Sequence, residues 1–352
     1  MRKVRIGFVG VGNMGQAAHL RNFVMVPNCE VVAVCDVKTD HASHVAQKWG
    51  IPHAYTTHHD LLRNHELDAI VAIQPFTRHG GIIPELLSYG KPILTEKPIA
   101  ASIAQGERIV AAAHAHNTWV MVGYHKRSDP AVMHAKAEIT RLMASGELGK
   151  MTYIRILMPA GDWIANGFNQ NIPSPDISDT LPHDPPPRDM DAAAYDAYVT
   201  FVNYYIHQVN LMRHLLGEDW QVTHAAPSGH LLVGQSQRGV TCSIEMSPYQ
   251  TSVDWRESAL ICFERGWIHV ELPAPLAFTR PGRVTIMRDP LPASATPPST
   301  TSPHLPWVHA MWQQAQHFVN AVAGEIPPIC TAEEALKDIT LARDYLRLHR
   351  GV

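Results

Sequence analysis

Val4-Arg5-Ile6-Gly7-Phe8-Val9-Gly10-Val11-Gly12-Asn13-Met14-Gly15 decides the fold. Six mostly apolar residues read as a short buried strand. The glycines that follow permit a tight turn and let a backbone approach a ligand closely. A helix then opens, and its N-terminus stabilises negative charge. Strand, G-x-G-x-x-G turn and helix together are a pyrophosphate cradle. Asp36 ends the next apolar run, 21 residues beyond Gly15. A carboxylate at that place accepts hydrogen bonds from the ribose hydroxyls of an adenine dinucleotide. It would repel a 2′-phosphate, so NAD is the cofactor expected. NADP is disfavoured, although Lys38 is a cation close enough to accommodate it. Gly10, Gly12, Asn13, Met14, Gly15 and Asp36 are the first cofactor-binding candidates.

Outward from this stretch, apolar runs and helical patterns alternate. Glu30 to Cys35, Leu67 to Ile73, Pro92 to Thr95 and Trp119 to Gly123 read as further strands. Helical stretches lie between them, Gly81–Tyr89 and Ile103–His116 among them. That alternation predicts a parallel sheet covered on both faces. After Tyr124 the pattern changes. Strands are expected at Met151–Met158, Leu231–Gln235, Val240–Met246, Ala259–Phe263 and Gly266–Glu271, several joined by short turns, which suits antiparallel pairing. The fold class is α/β, with a dinucleotide-binding domain at 1–123. A second domain, at 124–352, whose C-terminal helices can pack back on the first domain, carries a large open, mostly antiparallel sheet. Two proline-rich stretches interrupt this domain. Residues 159–187 carry seven Pro and read as an ordered loop over the sheet or a lid; residues 273–306 carry nine and read as a surface excursion. Two helices close the sequence. The second begins at Thr331, with Glu334 three residues on, a capping-box pattern.

Composition sets outer bounds. The 352 residues carry 29 Lys and Arg against 32 Asp and Glu, a net charge of −3. Near-neutrality argues against nucleic-acid or anionic-membrane partners. The hydrophobic fraction of 45% suits a globular chain, and no apolar run approaches the ~20 residues of a membrane span. A charged fraction of 17%, below the usual ~25%, hints at a subunit contact. Five widely spaced Cys make no disulfide framework, and no leader pattern is visible, so a cytoplasmic location is expected.

Two further signals carry chemistry. Thr95-Glu96-Lys97-Pro98 ends a strand, and the carboxyl ends of parallel strands face the ligand crevice. Lys97 would thus point toward the cofactor. The second signal is a helix predicted from about 197 to 217, with Gly217 as its C-cap. Asn203, His207 and Asn210 are spaced four and three apart, so one helical face would carry all three. His58-His59, His114/His116 and His183-Asp184 are metal-ligand residue types, but none has a zincin or Cys/His spacing. Twenty-two His make chance pairs common, and no metal is expected.

On these residues the sequence resembles the family of glucose–fructose oxidoreductase, inositol dehydrogenase and the MocA proteins (Gfo/Idh/MocA). The motifs are GVGNMG at 10–15, Asp36, QPFTRH at 74–79, EKP at 96–98, GYHKRSDP at 123–130 and NYYIHQVN at 203–210. The two C-terminal helices look similar as well. The resemblance implies a Rossmann domain followed by an α/β domain whose open sheet supplies a homodimer or homotetramer contact. It implies that Lys97 and His207 are catalytic. Gln74, Pro75, His79 and Glu96, with Lys97, would contact the cofactor. Arg127, Asn203 and Asn210, with Lys97 and His207, would meet the substrate. Gln74 and Phe76 replace the Thr and Asn of the family's T-P-N-x-x-H segment. Asn203 and Asn210 stand where many polyol dehydrogenases of the family carry Asp. Asn orients a hydroxyl but takes no proton at neutral pH, which leaves the proton to His207 and Lys97.

The implied activity is hydride transfer between NAD and a secondary alcohol of a sugar, polyol or glycoside. Two other classes stay open. One is an NAD-dependent glycoside hydrolase that oxidises a sugar transiently with no net redox change. The other is a non-catalytic NAD-binding regulator.

Overall fold

The computed structural model describes residues 2–173, 181–290 and 296–350. The chain forms two compact units. The first joins Met1–Tyr124, Asn166–Asn203 and Met311–Thr340; the second joins His125–Ala165, Tyr204–Ala310 and Leu341–Val352. Asn166–Asn203 and Met311–Thr340, both beyond residue 124, thus lie in the first unit.

The first unit is built on six strands: β1 (Val4–Val9), β2 (Cys29–Cys35), β3 (His53–Tyr55), β4 (Ala69–Ala72), β5 (Ile93–Thr95) and β6 (Val120–Val122). All neighbours pair in parallel, in the order β3-β2-β1-β4-β5-β6. This is the doubly wound dinucleotide-binding order. Ile6, Phe8, Ile70, Val71 and Leu94 are all fully buried, so both faces of the sheet are covered. Phe8, Phe23, Phe318 and Trp119 form an edge-to-face chain with centroid separations of 5.4, 6.0 and 5.7 Å. Such aromatic pairs add ~0.5–1.5 kcal/mol each beyond area burial. Phe318 belongs to the helix Ala310–Val322, so the far end of the chain completes this core. The edge of β6 is covered too: Val122 N donates to Cys330 O at 2.9 Å. The capping box forms beside it, with Thr331 N on Glu334 Oε2 and Glu334 N on Thr331 Oγ1.

The second unit holds an eight-stranded sheet of β7 (Met151–Ala160), β8 (Trp220–Ala225), β9 (Leu231–Ser236), β10 (Thr241–Gln250), β11 (Glu257–Phe263), β12 (Gly266–Leu272), β13 (Arg283–Arg288) and β14 (Ser299–Thr301). Its order is β14-β13-β12-β11-β7-β10-β9-β8. Every pair is antiparallel except β7 with β10. Along β11 burial alternates residue by residue. Ile154, Ile156, Ile261, Ile268 and Val270 sit fully buried on the inner face. The helix Pro130–Ser145 packs on β12 and β13, and the helix Ile206–Leu216 on β7 and β10. The opposite face, with Tyr153, Leu157, Leu260 and Trp267, is only half-buried.

The helix expected at 197–217 is two helices, Ala192–Tyr204 and Ile206–Leu216. Tyr205 interrupts it with φ −101° and ψ −2°, and its carbonyl accepts from Gln208 N and Val209 N to start the second helix. Asn203 therefore does not share a helical face with His207 and Asn210. Among the described residues no helix is long and apolar enough to cross a membrane, and all five cysteines are free thiols.

Candidate functional site

The glycine-rich turn follows β1 directly. Gly10 has φ +92°, and a Cβ on it would lie 2.1 Å from the Ile73 carbonyl oxygen. A Cβ on Gly15 would lie 2.5 Å from the Gly10 carbonyl oxygen. These two glycines let the turn close on itself. Gly12 differs: a Cβ there would meet nothing within 4 Å. The space beside it is what a pyrophosphate needs. Asn13 is exposed at the start of the helix, and Met14 is half-buried behind it. Asp36 ends β2 and accepts from Val11 N at 3.1 Å and from Lys38 N at 3.2 Å. His41 Nε2 donates to Val11 O at 2.9 Å, fixing the turn from the other side.

Gln74 donates through Nε2 to Val9 O at 2.5 Å, while its amide oxygen is buried with no hydrogen-bond partner among the described residues. An orphaned acceptor beside the glycine turn, and the open space at Gly12, fit a dinucleotide. Gly10, Gly12, Gly15, Asp36 and Gln74 would hold it. Pro75 leads from Gln74 into the 3-10 turn Phe76–Arg78. His79 is the exception among the predicted cofactor contacts. It is fully buried, with Nδ1 on Ile99 O at 3.1 Å and Nε2 3.2 Å from Gln74 O and 3.3 Å from Thr95 Oγ1. Burial lowers its pKa against the pull of those hydrogen bonds. It holds the Gln74 segment against β5 and presents no surface of its own.

At the end of β5, Glu96 Oε1 meets buried His19 Nε2 at 2.7 Å, and Glu96 Oε2 accepts from Lys97 N at 3.1 Å. Burial alone would raise the Glu96 pKa; the His19 hydrogen bond and the charges of His19 and Lys97 outweigh it and hold the carboxyl below its ordinary value. The Lys97–Pro98 peptide is cis, and Lys97 Nζ donates to the Asn203 carbonyl oxygen at 2.6 Å. Lys97 and Asn203 are thus brought together, but through the Asn203 backbone. The Asn203 residue itself is exposed.

Sequence reasoning missed a strap on this turn. The Gln16 side chain donates to Val11 O and Ile172 O at 3.0 Å each and accepts from Ile172 N at 2.9 Å. Asn171 Nδ2 donates to Asn13 O at 3.0 Å, and Lys48 Nζ to Gln170 O. Farther along, Asp184 Oδ2 accepts from Gly80 N at 2.8 Å and Asp184 N donates to Thr77 O at 2.6 Å. The described parts of the 166–187 loop therefore lie on the glycine turn and the QPFTRH segment. Residues 174–180, like residues 291–295 of the second proline-rich stretch, lie outside the described residues. A cavity of about 440 Å³ opens beside Thr77, lined among others by Pro186, Met190, Asp191, Tyr195 and Val199.

In the second unit, the HKRSDP part of the GYHKRSDP motif, residues 125–130, turns inward. Lys126, Arg127, Ser128 and Asp129 are all nearly or fully buried. Arg127 Nε donates to Asn210 Oδ1 at 2.8 Å, so these two predicted substrate residues meet each other. Asn210 is 1% exposed, which makes it a support for Arg127. His207 is half-buried and packs edge-on against His125, 4.7 Å between centroids. Glu257 on β11, also missed from sequence, accepts from Lys126 Nζ at 2.5 Å and from Gln208 Nε2 at 2.7 Å. It ties the 125–128 turn to the helix that carries His207.

Comparison with known proteins agrees with this fold. The model of the oxidoreductase family with an NAD-binding Rossmann fold, Gfo/Idh/MocA, matches residues 4–124. The uncharacterized oxidoreductase YrbE of Bacillus subtilis is 24% identical over 67% of this chain and 60% of its own length. Inositol 2-dehydrogenase of Acidothermus cellulolyticus is 33% identical over 42% of each chain. The chain therefore spans less than two thirds of these curated relatives. An oxidoreductase from Agrobacterium radiobacter, solved with NAD+, L-tartaric acid and magnesium, has a TM-score of 0.70 at 14% identity, covering 99% of this chain and 96% of that one. This last likeness is one of fold. Residues 4–124, which carry the glycine turn and Asp36, match the NAD-binding Rossmann domain of the Gfo/Idh/MocA oxidoreductase family.

Proposed function

We propose that this protein transfers hydride between NAD and a secondary alcohol of a sugar or polyol. The observation that carries the reading is Lys97. It sits at the carboxyl end of β5, in the sheet whose glycine turn fits a dinucleotide, and its ammonium is held on the Asn203 carbonyl. Nicotinamide supplies the hydride chemistry when bound. The chain's part is the proton: in this reading Lys97 and His207 hydrogen-bond the reacting hydroxyl, and one of them takes its proton as hydride leaves. General base catalysis of this kind contributes roughly 10²–10⁴-fold. The inositol dehydrogenases among the relatives support a polyol substrate. The cavity beside Thr77, about 440 Å³, is of a size that holds small ligands. The half-buried outer face of the second sheet, with Leu157, Leu260 and Trp267, supports assembly as a homodimer or homotetramer.

The test is a panel of inositols, aldoses and aryl glycosides with NAD, following reduced nicotinamide and released aglycone together. The reading expects NADH to accumulate with product. Aglycone release with no accumulating NADH would select redox-neutral glycoside hydrolysis instead.

A further inference from the structure

We propose that His58, His59 and Glu85 form a surface site for a divalent transition metal of the zinc class. His58 and His59 open the helix His58–Asn64, and Glu85 lies on the helix His79–Leu87. Successive residues on a helix diverge by about 100°. Here the two rings instead sit 4.2 Å apart and aim at one atom. His58 Nε2 is 3.1 Å from Glu85 Oε1, and His59 Nε2 is 3.0 Å from the same oxygen. Each residue thus offers one ligand atom, and all three lie within 4.8 Å of one another; this is the only such group among the described residues.

The donor chemistry fits. Two imidazoles and one carboxylate suit zinc, nickel or copper better than magnesium or calcium. Tetrahedral bonds of about 2.0–2.2 Å separate ligand atoms by roughly 3.3–3.5 Å. The two histidine nitrogens, 3.1 and 3.0 Å from the Glu85 oxygen, need to part from it by only a few tenths of an ångström to admit an ion, and water can complete the shell on the exposed side. A second observation points the same way. The Tyr89 hydroxyl lies 3.2 Å from His59 Nδ1, the ring nitrogen turned away from the cluster. Metal-bound histidines characteristically have such an outer partner, which orients the ring and fixes its tautomer. In the sequence no metal is expected here, because His58-His59 has no zincin or Cys/His spacing and twenty-two His make chance pairs common. The fold supplies the third ligand from another helix. A bound ion would pin the 58–64 helix to the helix that begins at His79. That is a stabilising role, separate from the reaction.

The experiment uses the full untagged chain after chelator treatment, titrated with Co²⁺ and Zn²⁺ alone. Expected are one Co²⁺ per chain with visible ligand-field absorption, its displacement by Zn²⁺, and a rise of several degrees in the melting midpoint with Zn²⁺. His59→Ala and Glu85→Gln each weaken binding at least tenfold, and His114→Ala leaves it unchanged. The proposal is overturned if no saturable binding occurs below about millimolar metal. It is equally overturned if the variants bind as tightly as the parent, which would place the metal among other histidines.

Discussion

Gly10 and Gly12, two residues apart, do different work, and substitution separates them. Alanine at Gly10 meets both a positive φ and a carbonyl oxygen at 2.1 Å. Gly10→Ala should cost about 2–4 kcal/mol of stability. Alanine at Gly12 meets nothing. Gly12→Ala should melt within a degree or two of the parent while NAD affinity falls about tenfold or more, because its Cβ enters the cradle. Thermal melts and calorimetric NAD titrations of the two variants check both statements. At Asp36, the parent should bind NAD at least about tenfold more tightly than NADP, roughly 1.4 kcal/mol. In Asp36→Ala that gap should close, and competitive titration with the two cofactors reads it. The motif residues were legible because their chemistry is local. His79 was legible only as a motif match. Its complete burial follows from the Ile99 and Gln74 carbonyls, which no spacing reveals.

The strands of the first unit were readable where both faces are apolar. β3 escaped notice because His53-Ala54-Tyr55 is three residues long and lies at the sheet edge. β8 and β13 escaped in the second unit for a related reason. They carry alternating polar residues such as Gln221, Thr223 and Arg283, which face away from the core. The break at Tyr205 has no glycine or proline to announce it. The Lys126–Glu257–Gln208 network is likewise invisible in sequence, since Glu257 is remote from both partners along the chain. It makes a clear prediction. Glu257→Ala strands a buried ammonium on Lys126, 4% exposed, and should cost about 3–5 kcal/mol in denaturant unfolding. Glu257→Gln keeps the shape and one acceptor and should cost less. Equal stability of Glu257→Ala and the parent would remove the network from the account.

Across the whole molecule, stability depends on pH through buried Asp129. Its carboxylate caps the helix Pro130–Ser145 at Ala131 N, 2.8 Å, and accepts from Gly282 N at 3.1 Å. Burial nonetheless lifts its pKa from 3.8 to about 6. The folded state thus holds the proton more tightly than the unfolded chain does. This contribution is fully present below pH ~4 and is lost as pH rises through about 6. At 1.36 kcal/mol per pKa unit it amounts to at most roughly 3 kcal/mol. Relative to Asp129→Asn, the parent should lose stability between pH 4 and 6 in melts across that range; a pH-independent difference would contradict the assignment. The two units are each assembled from three separate stretches of chain. Hydrophobic periodicity places strands and helices but does not say which unit a distant helix joins.

The central claim is that the glycine turn holds NAD and Lys97 moves a proton during hydride transfer. The most direct measurement compares the parent with Lys97→Met on a substrate found in the panel, recording NADH formation and NAD affinity in parallel. The account predicts NAD affinity within about threefold of the parent and turnover lower by at least 10²-fold, the low end of what a general base contributes. Near-parental turnover in Lys97→Met, with NAD still bound, would contradict it.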